Sequence, residues 1–86
     1  MTLNNFLKLH QNGTCNRISI TEEPEWNYGG YAKEKRICEE VSQESLTESD
    51  VYKDLWKSIK NRQVKHFCII GGGMYPVELT IYIEEE

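Results

Sequence analysis

Proline is scarce in this chain, with two among 86 residues, and no apolar run approaches the roughly 20 residues that a membrane-crossing helix needs. Met1 to Leu9 contain no basic segment followed by an apolar stretch, so no secretory signal peptide is predicted there. C-x-x-C and H-x3-H pairs are missing as well, which removes the usual spacing signature of a zinc finger. Clustered basic residues are the fourth absence. The chain has 10 Lys and Arg against 14 Asp and Glu, a net charge of −4. Its bases are interspersed with acids, as where Lys33, Lys35 and Arg36 stand beside Glu34, Glu39 and Glu40. A phosphate backbone calls for gathered cations, so direct nucleic-acid contact is disfavoured and a protein partner is favoured. The expectation is a soluble cytoplasmic protein whose three cysteines, Cys15, Cys38 and Cys68, stay reduced.

What is present suffices for one globular domain covering 1–86. Hydrophobic residues make up 38% and charged residues 28%, outside the range of disordered chains. A domain of this length buries about 60–65% of its unfolded surface, so its core is thin and a deep substrate cavity is hard to build. Binding another macromolecule is therefore expected over catalysis.

The patterning predicts an α+β fold. Thr2 can cap a short helix carrying Leu3, Phe6, Leu7 and His10 at helical spacing, with Asn12-Gly13 as its stop. Cys15 to Thr21 alternates as a half-exposed strand. Glu22 to Gly30 reads as a loop interrupted by Pro24 and closed by Gly29-Gly30. Tyr31 to Val41 reads as helix, with a strand the alternative, and Ser42 to Ser49 as polar linker. Thr47 and Asp50 suggest a loose capping box before a helix from Val51 to Lys60, with Val51, Leu55 and Ile59 on one stripe. Val64 to Ile70 is a strand. Val77, Leu79, Ile81 and Ile83 alternate strictly with Glu78, Thr80, Tyr82 and Glu84, so the last strand has one buried and one wet face. These two strands are expected to pair as an antiparallel hairpin. The predicted whole is a small antiparallel sheet, an N-terminal helix, and a second helix packed on one face.

Three residue sets can carry chemistry. Gly71-Gly72-Gly73 lacks both the G-x-G-x-x-G spacing and a following Lys-Ser/Thr, so a hairpin turn is expected there and not a phosphate loop. Cys15, Cys38, His66 and Cys68, with His10 nearby in sequence, supply enough donors for a tetrahedral zinc site, and a structural metal would help a marginal core. Ordinary buried thiols are the alternative. His66 and Cys68 share one strand face but sit about 7 Å apart along the strand, too far for direct proton transfer in a thiol enzyme. Glu22, Glu23 and Glu25 precede Trp26, Tyr28 and Tyr31. Carboxylates beside exposed aromatics form a candidate partner-binding segment, the alternative being aromatics folded over the thin core.

The opening Met1-Thr2-Leu3-Asn4-Asn5-Phe6-Leu7-Lys8-Leu9, the Ile18-Ser19-Ile20 strand and the closing Leu79-Thr80-Ile81-Tyr82-Ile83-Glu84-Glu85 resemble a recurring layout. It is similar to short accessory proteins carried by phages and integrative elements of Gram-positive bacteria. The likeness covers the two ends, less than half the chain. Such proteins include anti-CRISPR inhibitors, which are small, often acidic, sometimes metal-bearing, and act by stoichiometric binding to an RNA-guided nuclease. The resemblance implies a non-catalytic inhibitor of a CRISPR effector nuclease, and a zinc-stabilised adaptor domain is the alternative. It carries no site residues over to this chain.

Overall fold

The computed structural model describes residues 1–10, 17–23 and 35–85, without the side chains of Gly72, Tyr75 and Pro76. Along the chain run α1 (Leu3–Leu9), β1 (Arg17–Glu23), β2 (Lys35–Val41), α2 (Gln43–Glu48), α3 (Lys53–Ile59), β3 (Val64–Gly72) and β4 (Tyr75–Glu84). The fold is α+β. The four strands form one sheet in the order β2-β1-β4-β3.

The β3–β4 hairpin pairs antiparallel as its alternation predicts, with Phe67 opposite Ile81 and Ile69 opposite Leu79. β1 and β2 are antiparallel as well. The sheet is nevertheless mixed and not purely antiparallel, because β1 runs parallel to β4 with Ile18 beside Leu79 and Ile20 beside Ile81. Alternation reports which side chains are buried and is blind to the direction of the neighbouring strand.

Ile18, Ile20, Leu79, Ile81 and Ile83 share one sheet face, and Leu3 and Leu7 of α1, Leu46 of α2 and Ile59 of α3 pack on it to form the core. Helices therefore cover one face, as expected, but there are three of them. α1 begins where predicted: the Thr2 hydroxyl accepts the Asn5 N–H at 3.2 Å, and Leu3 and Leu7, one turn apart, are both buried.

Two segments differ from their sequence-based reading. Residues 35–41 form a strand, not a helix. Ile18 lies opposite Val41 while Ile20 lies opposite Cys38, so three residues of β2 span two of β1. That bulge passes through Glu40, whose φ is +50°, and it places Cys38 and Val41 on the same face at a spacing of three. A spacing of three imitates helical periodicity, which is why the pattern misleads. Residues 43–48 form a helix, not a linker. Ser42 caps it by accepting the Ser45 N–H at 3.1 Å, and a single buried residue, Leu46, anchors it. One apolar residue cannot display a period. Thr47 is no cap either. Its hydroxyl donates to the Gln43 carbonyl at 2.9 Å, and α3 starts at Lys53 without a side-chain cap.

Gln43 joins α2 to α1. Its amide donates to the Leu7 carbonyl at 2.8 Å and its carbonyl lies 2.8 Å from His10 Nδ1. Because α2 is short and held by one apolar contact, its cap matters: Ser42→Ala is expected to lower stability by about 1 kcal/mol, read as a fall in the urea midpoint at unchanged slope.

Candidate protein-binding edge

The sheet has two outer strands, and they differ in kind. β2 carries Lys35, Arg36, Glu39 and Glu40 in seven residues and is bent by its bulge. Charges and bulges are how sheets keep an edge from recruiting another strand. β3 has charge only near its start, at Lys65 and His66, and then reads Phe67-Cys68-Ile69-Ile70. Phe67, Ile69 and Ile70 are 52%, 64% and 54% exposed. Phe67 and Ile69 lie on the helix-bearing face, opposite Ile81 and Leu79, and Ile70 lies on the other face, opposite Glu78. Apolar side chains therefore flank the outer edge on both sides. The connection to β4 adds the exposed Met74.

The start of the chain holds one end of this edge. The Val64 N–H donates to the Met1 carbonyl and the Leu3 N–H to the Arg62 carbonyl, both at 2.9 Å. Phe6 rests against Phe67 with ring centres 5.1 Å apart. Beyond Val64, no strand among the described residues pairs with the outer side of β3.

The predicted carboxylate contacts are engaged within the chain. Glu22 accepts from Arg62 Nη2 at 2.7 Å, a pair in which both side chains are largely buried, and the same nitrogen donates to the Glu84 carbonyl. Glu23 accepts from His66 Nε2 at 2.6 Å and lies 3.5 Å from Lys65 Nζ, while the His66 ring stacks on Tyr82 at 4.3 Å. Glu25, Trp26, Tyr28 and Tyr31 lie outside the described residues, as does Cys15.

The remaining zinc candidates are not brought together. Cys38 pairs with Ile20, so it points into the core from one outer strand, and burial pushes its thiol pKa up. Cys68 pairs with Thr80 on the opposite outer strand and the opposite sheet face. Two further strands lie between them, about 14 Å at the usual inter-strand spacing, far beyond the reach of one tetrahedral ion. His66 is on the face of Cys68 and is oriented by Glu23, but no interaction joins it to the Cys68 thiol among the described residues.

The hydrogen bond from His66, reinforced by its charge and that of Lys65, holds the Glu23 carboxyl below its ordinary value near 4.5. A carboxyl lowered in the folded state stabilises the fold above that ordinary value, and the benefit is lost as pH falls through the folded value. Wild type is therefore expected to exceed Glu23→Gln in urea midpoint at about pH 5.5, with the gap closing below about pH 4.

The opposite sheet face also holds a buried polar knot. Ser19 donates to Glu78 and accepts the Glu40 N–H at 3.1 Å, so its hydroxyl ties the β2 bulge to β4. No helix among the described residues is long and apolar enough to cross a membrane. No known protein family, characterised protein or solved structure matches this chain.

Proposed function

We propose that this chain is a non-catalytic binding protein of a mobile element that inhibits a CRISPR effector nuclease by docking its β3 edge against a strand of the nuclease. The supporting observation is the β3 edge, with Phe67, Ile69 and Ile70 each more than half exposed beside backbone groups that no strand among the described residues pairs beyond Val64. Strand addition draws affinity from main-chain hydrogen bonds and selectivity from the side chains on either face. The partner class comes from the resemblance of the chain's two ends to mobile-element inhibitors. Exposed carboxylates on α2, α3 and the turn between them fit it, since Glu44, Glu48, Asp50 and Asp54 all face solvent without an ion pair among the described residues. Such charge steers a protein toward a basic, nucleic-acid-binding groove.

The test is a DNA-cleavage assay with purified effector nuclease loaded with guide RNA, titrated with this protein. Cleavage is expected to fall to completion near one equivalent and to recover as salt rises. Full cleavage at tenfold excess, across effectors of different types, would remove the partner class.

A further inference from the structure

An outer strand can be claimed by a second copy of its own chain as well as by a different protein, provided its sequence fits itself. Of the four strands, β3 alone carries no acidic residue, whereas β1, β2 and β4 carry two each. In a chain of net charge −4, β3 is the strand along which two copies meet without opposed carboxylates.

The register follows from where the edge is regular. At one end the Val64 N–H is held by the Met1 carbonyl. At the other the β3–β4 ladder shifts between Ile70 and Gly72, where Gly71 has a φ of +107°. The regular stretch therefore runs from His66 to Ile70 and is centred on Cys68. When two identical strands pair antiparallel about a two-fold axis, opposed residues lie equally far from that axis. An axis at Cys68 sets Phe67 of each copy against Ile69 of the other, twice, on the helix-bearing face. Aromatic and β-branched side chains make favourable cross-strand pairs, and these two are 52% and 64% exposed. On the other face, His66 of one copy meets Ile70 of the second, and the Glu78 that lies opposite that Ile70 comes next in the row. An imidazole thus points along the sheet toward a carboxylate. α1 widens the apolar surface: Phe6 rests on Phe67, and Leu9, one turn further along the same side of the helix, is 71% exposed.

We propose that two copies of the chain pair through β3, antiparallel about Cys68, and join their sheets into one. A seam this short covers less than the roughly 1,200–2,000 Å² of a standard stable interface. The dimer is therefore weak, with an expected dissociation constant on the order of 100 µM, and at low micromolar protein the edge is open. Self-pairing uses the same edge as the inhibitor reading but needs no nuclease, so either can fail without the other.

The experiment is sedimentation equilibrium of the purified chain in reducing buffer, from about 5 µM to about 1 mM. The mass is expected to rise from 10.1 kDa toward twice that value. Ile69→Lys and Ile70→Lys change more than half-exposed positions on opposite faces. Each is expected to weaken the dimer at least tenfold while the far-ultraviolet circular dichroism stays unchanged. A short bismaleimide is expected to crosslink the two copies through the half-buried Cys68 thiols, and Cys68→Ser is expected to lose the product. A mass that stays at 10.1 kDa at the highest concentration, a dimer that survives both lysine variants, growth beyond two copies, or crosslinking undiminished in Cys68→Ser would each overturn the proposal.

Discussion

Ile81→Ala is expected to lower stability by about 3–4 kcal/mol, within the usual range for removing buried aliphatic groups. Ile81 is fully buried on β4, with Ile20 beside it on one flank and Phe67 on the other. It is central in the sheet and faces the side that receives all three helices, so truncation leaves a cavity that no single element can collapse to fill. Domains hold roughly 0.05–0.15 kcal/mol of stability per residue, about 4–13 kcal/mol for a chain of this size. One truncation thus removes a quarter or more of the total. Each kcal/mol shifts the melting midpoint of a small domain by about 4–8 °C, giving an expected fall of about 12–32 °C. Ile69→Ala is the control, because the same residue type stands 64% exposed on β3 and should cost under about 1 kcal/mol. Equal losses in the two variants would show that the core does not lie where Ile81 is placed.

Ile69→Lys is expected to weaken partner binding by at least about thirtyfold, the equivalent of a 2 kcal/mol hot spot, with little change in stability. A lysine on an outer strand is the residue that sheets themselves use to refuse a neighbour. At this position it meets water in the free protein and would be forced against apolar groups in the complex. Binding to the effector nuclease by calorimetry, beside a urea melt of the same variant, separates the two effects. Unchanged affinity would move the contact off β3. In that case a charge reversal at Glu44 and Glu48 becomes the informative variant, since both are exposed on α2.

Some of this was legible from residue order alone. β4 announces itself because Val77, Leu79, Ile81 and Ile83 alternate with polar neighbours, and the Gly71–Gly73 segment marks the reversal into it. The start of α1 is equally local, since a cap hydroxyl and two leucines four apart are enough to define it. β2 was misread because its bulge converts a period of two into a spacing of three, and α2 was missed because Leu46 stands alone. The candidate binding edge was only half visible. Phe67 to Ile70 reads as a strand, but an unbroken apolar run is the pattern of a strand buried on both faces. The run shows a strand but not whether its faces meet a core or water, and Phe67, Ile69 and Ile70 are more than half exposed.

The carboxylates teach the same lesson from the other side. Glu22 and Glu23 looked like free surface charge beside a loop, yet Arg62 and His66, 40 and 43 residues away, occupy them. The zinc donors looked gatherable, yet Cys38 and Cys68 end on opposite outer strands and opposite faces. What residue order determined by itself was whatever depends on neighbours two to four positions apart: the Thr2 cap, the alternating strands, the hairpin and the α+β class. Strand order, the parallel pairing of β1 with β4, which outer strand is defended, and which charges are already met were decided only by the tertiary structure. They depend on contacts between segments distant in the chain, and a linear pattern records the burial of a side chain but not the identity of what buries it.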